Sequence, residues 1–213
     1  KFLKTRQLDL SVVHINGKYS GNLVMENGIF GKTYTLNTFY NGKLKILRLI
    51  SSLYEGYILV RKAISIKPDI VISMTDPPLL SLWVSIFCKK KKIPWVYWTM
   101  DLYPEAFVSA GLIKKTGIIL NLIKKTLKKY PPKFIISLGH FQFQYLRTNY
   151  DYNVPSVLYP CGIIRTKKMK DLNISKITKN KISLCYAGNL GEAHNPQFIM
   201  NIIDNLNPKK HVL

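Results

Sequence analysis

The sequence predicts an α/β fold built on a mostly parallel β-sheet, and two patterns along the chain support this prediction. Six short runs are rich in Ile, Val, Tyr and Trp and are nearly unbroken by polar residues, as in strands that are covered on both faces. Between the runs lie stretches in which apolar residues recur at spacings of three and four, as they do in helices. Strands that alternate with helices favour βαβ units and hence parallel pairing.

The predicted elements begin near residue 10. Strands are predicted at 10–15, 69–74, 93–99, 133–138, 155–160 and 181–187. The apolar spacing predicts helices at 44–66 and at 78–91, and the second opens with prolines that suit a first helical turn. Residues 16–43 are instead rich in Gly, Asn and Tyr, so we expect a long irregular excursion there, with a hairpin as one option.

A polar and basic stretch marks the predicted domain boundary. We expect one domain at residues 1–160, a linker at 161–180 and the start of a second domain at 181–213. The last portion holds one strand, one glycine-containing loop and one helix, which cannot bury a core of their own. It therefore either docks on the first domain or belongs to a second domain of which the chain contains only the beginning.

The composition favours a folded protein with phosphate-bearing partners. Apolar residues make up 47% of the 213 residues, which is enough for a sizeable core and too much for a disordered chain. The 32 Lys and Arg outnumber the 11 Asp and Glu, and the net charge of +21 favours nucleic acid, an anionic membrane surface or phosphorylated substrates. A lysine-rich coding bias is the alternative explanation of this charge.

The cysteines and the lengths of the apolar runs restrict the class of protein further. Three cysteines at long spacings, without a CxxC pair, argue against a disulfide framework or a zinc site and suit a reduced, cytoplasmic setting. The longest apolar run, residues 79–88, has about half of the ~20 residues that a membrane span needs. We therefore expect no metal site and no membrane-spanning helix.

Acidic residues lie where two of the predicted strands end, and parallel sheets usually hold their ligands at such positions. Asp76 follows the second predicted strand, with Pro77 next to it, and it either caps the following helix or faces a ligand. Asp101 and Glu105 follow the third predicted strand. One interpretation is helix capping by Asp101 and a favourable helix-dipole interaction of Glu105. The other is hydroxyl binding or general-base catalysis by these carboxylates.

Two later strand ends also carry candidate residues. His140 follows the strand at 133–138, and we expect it to cap the next helix. A Gly-x-x-Gly turn follows the last predicted strand, where Gly188, Asn189 and Gly191 precede a helix. Glycine lets the backbone approach a phosphate closely, and a helix N-terminus favours an anion. The full dinucleotide fingerprint and the P-loop are absent from the sequence.

A basic stretch at residues 106–150 contains no Asp or Glu. On a helical wheel of 100° per residue, six lysines share one half: Lys114, Lys115, Lys124, Lys125, Lys128 and Lys129. The opposite half gathers apolar residues, while two more lie among the lysines: Leu112, Ile119, Leu120, Ile123, Leu127 and Tyr130, and then Ile118 and Leu122. The stretch is either an ordinary surface helix or a basic helix that rests on an anionic membrane.

Five stretches of the chain carry a resemblance to a known family: "PDIVISMTDPPLLSLW", "IPWVYWTMDLYPEAFVSAGLIKK", "FIISLGHFQFQYL", "VPSVLYPCGI" and "ISLCYAGNLGEAHN". The most specific part is an aspartate, an aromatic residue, Pro-Glu and a following Gly-Leu. In this order the stretches resemble GT-B glycosyltransferases. The likeness is strongest to the large retaining family of bacterial sugar transferases for O-antigen, capsule and exopolysaccharide, similar to those for fucosamine and colanic-acid sugars. It covers residues 68–204 well and 9–67 loosely.

The resemblance implies two Rossmann-like, doubly wound domains that face a cleft. The N-terminal domain would bind the acceptor and the C-terminal domain the nucleotide-diphosphate sugar. Asp101 and Glu105 would be the catalytic residues that face the acceptor. The implied substrate-binding residues are Asp76, Pro77, Tyr103 and His140, and the implied donor-phosphate-binding residues are Gly188, Asn189 and Gly191.

The resemblance also implies a reaction and its setting. A sugar would be transferred to a lipid-linked acceptor by a peripheral protein at the cytoplasmic face of the membrane, without a metal or another cofactor. The chain departs from the family at Met100, where many members carry His, and at Glu192, where a basic residue is common. The paired-glutamate motif is also missing, so we expect little turnover from this chain alone. The acceptor-binding half of a split transferase is the alternative, and a basic nucleic-acid-binding protein is less favoured because no such motif is present.

Overall fold

A computed structural model of the chain describes residues 8–16, 31–40, 44–160, 181–186 and 196–212. The strands in these ranges are β1 (Ser11–Asn16), β2 (Lys32–Asn37), β3 (Val71–Ser73), β4 (Trp95–Thr99), β5 (Phe134–Ser137), β6 (Ser156–Leu158), β7 (Ile182–Ser183) and β8 (His211–Val212). The helices are α1 (Lys45–Ser65), α2 (Leu80–Lys91), α3 (Glu105–Ser109), α4 (Ile118–Lys129), α5 (His140–Tyr150) and α6 (Pro196–Asp204).

The main sheet consists of four parallel strands in the order β3-β4-β5-β6. The order of the strands in the sheet follows their order in the chain, and helices connect each consecutive pair. Helix α2 lies between β3 and β4, α3 and α4 lie between β4 and β5, and α5 lies between β5 and β6. Parallel neighbours require such crossovers. The predicted α/β class with a parallel sheet is therefore confirmed, and its arrangement is compatible with a Rossmann-like fold.

Two smaller parallel pairs lie outside this sheet. β1 pairs with β2, and β7 pairs with β8. The prediction of an irregular excursion at 16–43 is wrong where β2 lies, because "KTYTLN" alternates apolar and polar residues with β-branched Thr and is half-buried. β2 runs parallel to β1, so these two strands do not form a hairpin. The predicted linker at 161–180 lies outside the described residues, and the two-domain division stays a prediction.

Helices α2, α4 and α5 pack against one face of the main sheet. Trp95 and Tyr97 of β4 and Ile135 of β5 point into this face and are almost fully buried. Their partners in the same core are Val84, Cys88, Ile123, Leu127, Leu146 and Tyr150. This single core holds the strands and helices whose ends form the site described below.

Helix α1 packs beside α2 through a close backbone approach at Gly56. A Cβ atom built at this position would lie 2.9 Å from Cδ1 of the Trp83 indole ring, so glycine is what lets the two helices meet here. The neighbouring Tyr57 ring contacts Trp83 edge-on, with 5.3 Å between ring centroids. The contact fixes α1 next to the connection that follows β3.

The opposite face of the main sheet is only partly covered by the described residues. Val96 of the inner strand β4 is buried on that side, whereas Ile72 of the edge strand β3 is exposed. Further exposed apolar residues lie in or next to the edge strands: Ile70, Met74, Val157 and Tyr159. The expectation of strands covered on both faces is thus wrong for the described part of the edge strands, because an apolar run does not specify which element covers it. Within the described residues, no helix is long and apolar enough to cross a bilayer.

Candidate functional site

The loops that follow β3 and β4 meet at the carboxyl edge of the main sheet. The backbone N–H of Asp101 donates a hydrogen bond to Oγ1 of Thr75 at 3.3 Å, which ties the two loops together. The peptide bonds Asp76–Pro77 and Tyr103–Pro104 in these loops are cis. Since β3 and β4 are parallel neighbours, Asp76 and Asp101 lie on the same edge of the sheet. We call Asp76, Asp101 and Tyr103 the carboxyl-edge site.

Neither aspartate caps a helix, so the capping interpretations of Asp76 and Asp101 are wrong. Helix α2 is preceded by Leu79 and helix α3 by Pro104, and neither start has a side-chain capping bond. Backbone turns replace the caps, because N–H groups at the two helix starts donate to carbonyl oxygens of the loops. Both aspartates are exposed residues, although Asp76 is partly enclosed by its neighbours, and neither carboxylate accepts a hydrogen bond from any residue that the structure describes. They therefore keep their full acceptor capacity for a ligand.

Negative charge is concentrated around Asp76. Partial burial, and then the nearby carboxylates of Glu55 and Asp101, raise the pKa of Asp76 above its ordinary value. Like charges and desolvation both disfavour the ionised form, so this aspartate holds a proton more readily than a free one. Such perturbed carboxylates are common at functional sites because they exchange protons closer to neutral pH.

Glu55 is a neighbour of the site that sequence reasoning did not identify. Its buried Oε1 accepts hydrogen bonds from Oγ of Ser51 at 2.8 Å, from Oγ1 of Thr38 at 2.5 Å and from the backbone N–H of Phe39 at 3.0 Å. These bonds fix a negative charge on α1 near Asp76. The available signal was a single acidic residue within an apolar helical pattern, where buried charges occur only when they are paired or hydrogen-bonded.

Tyr103 adds a hydrogen-bond donor to the site. Burial, and then the charges of Asp101 and Asp76, raise the pKa of the Tyr103 phenol, which therefore stays protonated at neutral pH. Its ring packs on Phe107 with 5.0 Å between centroids, which limits its movement. Two acceptor carboxylates and one donor phenol together suit a ligand that carries several hydroxyl groups.

Glu105 begins α3, as predicted, but its carboxylate is occupied by other parts of the protein. Tyr150 donates to both oxygens, at 2.7 and 2.9 Å, and Tyr145 donates to Oε1 at 2.9 Å. Nζ of Lys124 forms an ion pair with the same oxygen at 3.0 Å. Glu105 thus joins α3, α4 and α5, and these contacts favour a positioning role over direct contact with substrate. Its catalytic assignment stays a prediction.

Gln142 is a second residue that sequence reasoning missed. Its Oε1 accepts hydrogen bonds from Thr99 Oγ1 at 2.7 Å, Ser137 Oγ at 2.9 Å and the Leu138 N–H at 3.0 Å. Its Nε2 donates to the backbone oxygen of Met100 at 3.3 Å. One side chain therefore binds together the ends of β4 and β5. The available signal in the sequence was a hydroxyl residue at the end of each strand, Thr99 and Ser137. The structure buries both fully, and buried hydroxyls need a partner inside the protein.

The remaining predicted substrate-binding residues have different environments. His140 is the exposed first residue of α5. The capping position before it is occupied by Gly139 and no side chain caps this helix, so the capping interpretation of His140 is wrong. The His140 ring lies edge-on to Phe141 at 6.1 Å. Pro77 is buried, and its carbonyl oxygen accepts the Leu80 N–H at 3.0 Å, so it shapes the loop. The predicted donor-phosphate residues lie outside the described residues: Gly188, Asn189 and Gly191.

The lysines of helix α4 and of the segment before it lie in two environments, ion pairs and open solvent. Lys124 turns inward to Glu105, and Lys128 pairs with Asp151 at 2.9 Å. The other predicted surface lysines are exposed: Lys114, Lys115, Lys125 and Lys129. The predicted apolar side is confirmed at Leu120, Ile123 and Leu127 but wrong at Leu112 and Ile119, which are exposed.

Comparison with known proteins does not assign a family. No protein-family model matches the chain, and no curated protein matches it. Within the described ranges, no group of three or more His, Cys, Asp or Glu is arranged to hold a metal ion. The functional assignment therefore depends on the geometry of the carboxyl edge and on the sequence resemblance.

Proposed function

We propose that this chain supplies the acceptor-binding α/β domain of a GT-B-type sugar transferase in bacterial surface polysaccharide synthesis. The observation that carries the proposal is a pair of exposed carboxylates, Asp76 and Asp101, at the carboxyl ends of adjacent parallel strands. Neither of them caps a helix. Ligands of open α/β sheets bind at this edge. The aspartate, aromatic and Pro-Glu pattern that resembles the transferase family falls in the same loop.

The chemistry of the site suits a sugar acceptor. Carboxylates accept hydrogen bonds from neighbouring hydroxyl groups, and the Tyr103 phenol donates to an ether or hydroxyl oxygen. We assign Asp101 the role of accepting the proton of the attacking hydroxyl, and Asp76 the role of orienting that acceptor. The acceptor oxygen forms a bond to the anomeric carbon while the bond from this carbon to the donor diphosphate breaks, and the proton passes to the carboxylate.

The donor side and the cellular setting complete the proposal. Main-chain amides around Gly188, Asn189 and Gly191 would stabilise the leaving diphosphate, so the mechanism needs no catalytic metal. The donor is a nucleotide-diphosphate sugar and the acceptor is lipid-linked. The protein would work at the cytoplasmic face of the membrane as a peripheral protein, since its exposed lysines attract anionic lipid.

The test compares aspartate variants in the protein expressed from its complete reading frame. Transfer of labelled sugar from a panel of nucleotide-diphosphate sugars to polyprenyl-linked acceptors is measured for Asp101→Asn and Asp76→Asn. Loss of a general base is expected to lower kcat by about 10²–10⁴-fold for Asp101→Asn. Asp76→Asn is expected to raise KM for the acceptor more than it lowers kcat.

The matched control is Asp69→Asn, because Asp69 is an exposed aspartate at the opposite, amino end of β3. Its transfer rate should equal that of the unmodified protein. Unchanged rates in both site variants would remove the carboxyl-edge site from the reaction. Absence of transfer with every donor, together with no binding of acceptor to the chain in calorimetry, would reject the transferase proposal.

A further inference from the structure

The outward face of α4 carries aliphatic residues that the fold does not use. Leu120, Ile123 and Leu127 form its buried side. At 100° per residue, the opposite stripe contains Ile118, Leu122, Lys125 and Lys129. Ile118 is 78% exposed and Leu122 is 59% exposed. Two branched aliphatic side chains therefore project into solvent between lysines.

More exposed aliphatic residues lie at the start of the same helix. Ile119 is 63% exposed, and Leu112, in the turn before α4, is 48% exposed. Single exposed apolar residues are ordinary on protein surfaces, but several close together indicate an interaction surface. We call Leu112, Ile118, Ile119 and Leu122, with the exposed lysines beside them, the α4 surface.

The charge of this region indicates the chemistry of the partner. Residues 106–150 contain no acidic residue. The ion pairs of the α4 lysines within the described residues are those of Lys124 with Glu105 and of Lys128 with Asp151. Lys114, Lys115 and Lys125 are exposed and have no carboxylate partner there, while Lys129 contacts the Tyr130 ring. A partner must therefore offer negative charge and an apolar phase at the same surface.

We propose that the α4 surface docks on an anionic lipid bilayer. The aliphatic side chains enter the boundary between headgroups and acyl chains, and the lysines lie among the lipid phosphates. A nucleic-acid backbone would satisfy the lysines alone, and it would leave Ile118 and Leu122 in water. A bilayer satisfies both groups along one helix face, which makes it the partner that fits.

The position of α4 relates this surface to the carboxyl-edge site. Because β4 and β5 are parallel, the chain must return from the carboxyl end of β4 to the amino end of β5, and α4 makes the last part of this return. The start of α4, with Ile118, is therefore its end nearer the carboxyl edge. If the proposed function holds, docking brings the site towards a lipid-linked acceptor; the docking itself does not depend on it.

Vesicle co-sedimentation of the purified chain tests the proposal. Vesicles of phosphatidylcholine with phosphatidylglycerol are compared with pure phosphatidylcholine, with a salt series for each. The chain should bind the anionic vesicles, lose this binding as salt rises, and bind the neutral vesicles at least tenfold more weakly. Lys125→Gln/Lys129→Gln should weaken binding about 25-fold, since each basic residue near the surface contributes about 1 kcal/mol, or about fivefold. Ile118→Ser/Leu122→Ser should weaken it at least tenfold at unchanged net charge.

Two control variants separate docking from general effects. Met200→Ser/Ile202→Ser removes exposed apolar residues from α6, a helix without lysine, and Lys209→Gln/Lys210→Gln removes the same charge elsewhere. Both should bind like the unmodified chain, and circular dichroism should show that all four variants are folded. Equal binding of Ile118→Ser/Leu122→Ser and the unmodified chain would overturn the proposal. Displacement of the chain from vesicles by an equal phosphate concentration of oligonucleotide would do the same. Neither result depends on sugar transfer.

Discussion

Replacement of Glu105 by glutamine should destabilise the fold far more than its position in a short helix suggests. The carboxylate accepts hydrogen bonds from Tyr145 and Tyr150 and pairs with Lys124. Glutamine keeps the shape and one acceptor oxygen but removes the charge. Two charge-assisted hydrogen bonds become neutral ones, and the ion pair is lost.

The magnitude follows from these three contacts. Hydrogen bonds to charged groups contribute about 1.5–3 kcal/mol against about 0.5–1.5 for neutral ones, so each weakened bond costs about 1 kcal/mol. The partly exposed ion pair adds less than about 1 kcal/mol. Glu105→Gln should therefore lower the free energy of unfolding by about 2–3 kcal/mol. Glu105→Ala should cost about 1–3 kcal/mol more, because it leaves the hydroxyl of the buried Tyr150 without a partner.

Urea denaturation followed by tryptophan fluorescence measures these changes, provided that the m-value is the same in each variant. Asp151→Asn is the matched control, because its ion pair with Lys128 is largely exposed and should contribute less than about 1 kcal/mol. A double-mutant cycle of Glu105→Gln with Tyr150→Phe should show coupling of at least about 0.5 kcal/mol, as expected for residues in one network. An unfolding free energy of Glu105→Gln within the error of the unmodified chain would refute the positioning role. Greatly reduced transfer at unchanged stability would instead support catalysis.

Two further predictions concern titrating groups, Asp76 of the carboxyl-edge site and Tyr145, which donates to Glu105. Asp76→Asn should raise the free energy of unfolding by less than about 1 kcal/mol in urea titrations at pH 7, because it removes a partly buried charge that Glu55 and Asp101 repel and that solvent screens; a decrease would contradict this electrostatic account. For Tyr145, burial and then Glu105 raise the pKa to about 12, so the folded chain holds this proton more tightly than the unfolded chain, whose tyrosines titrate near about 10. The stability from Tyr145 should be complete below pH 10 and lost as pH rises towards 12, so Tyr145→Phe should show a shallower alkaline loss of unfolding free energy than the unmodified chain. Parallel curves would show that this phenol does not contribute.

The sequence predicted those features of the fold that depend on local pattern. Apolar runs placed the four strands of the main sheet correctly, and alternation with helices predicted their parallel pairing. Local pattern also placed Asp76 and Asp101 beyond the strand ends. It missed β2, because the glycines and asparagines around that strand outweighed the short alternation within it.

The partners of the acidic residues were beyond the reach of local pattern. The tyrosines that donate hydrogen bonds to Glu105 lie on α5, and Glu55, whose charge acts on Asp76, lies on α1. Both interactions therefore depend on tertiary packing. The helical wheel of the basic stretch was wrong at Leu112 for a local reason. Helix α4 begins at Ile118 after Gly117, so a wheel that starts at Leu112 gives an orientation to a residue that is not helical.

The acidic residues of the carboxyl edge differ in what satisfies them, and this difference separates scaffold from site. Glu55 and Glu105 accept hydrogen bonds from the protein itself, so their charges are fixed and hold elements together. Asp101 is held through its backbone N–H, which donates to Thr75, the residue before Asp76, while the carboxylates of both aspartates have no partner in the described part of the chain. A like-charged pair of this kind does not stabilise the fold, because the repulsion between the carboxylates and the partial desolvation of Asp76 reduce stability. In the proposed function, the hydroxyl groups of a sugar acceptor would donate to these two carboxylates and offset this cost.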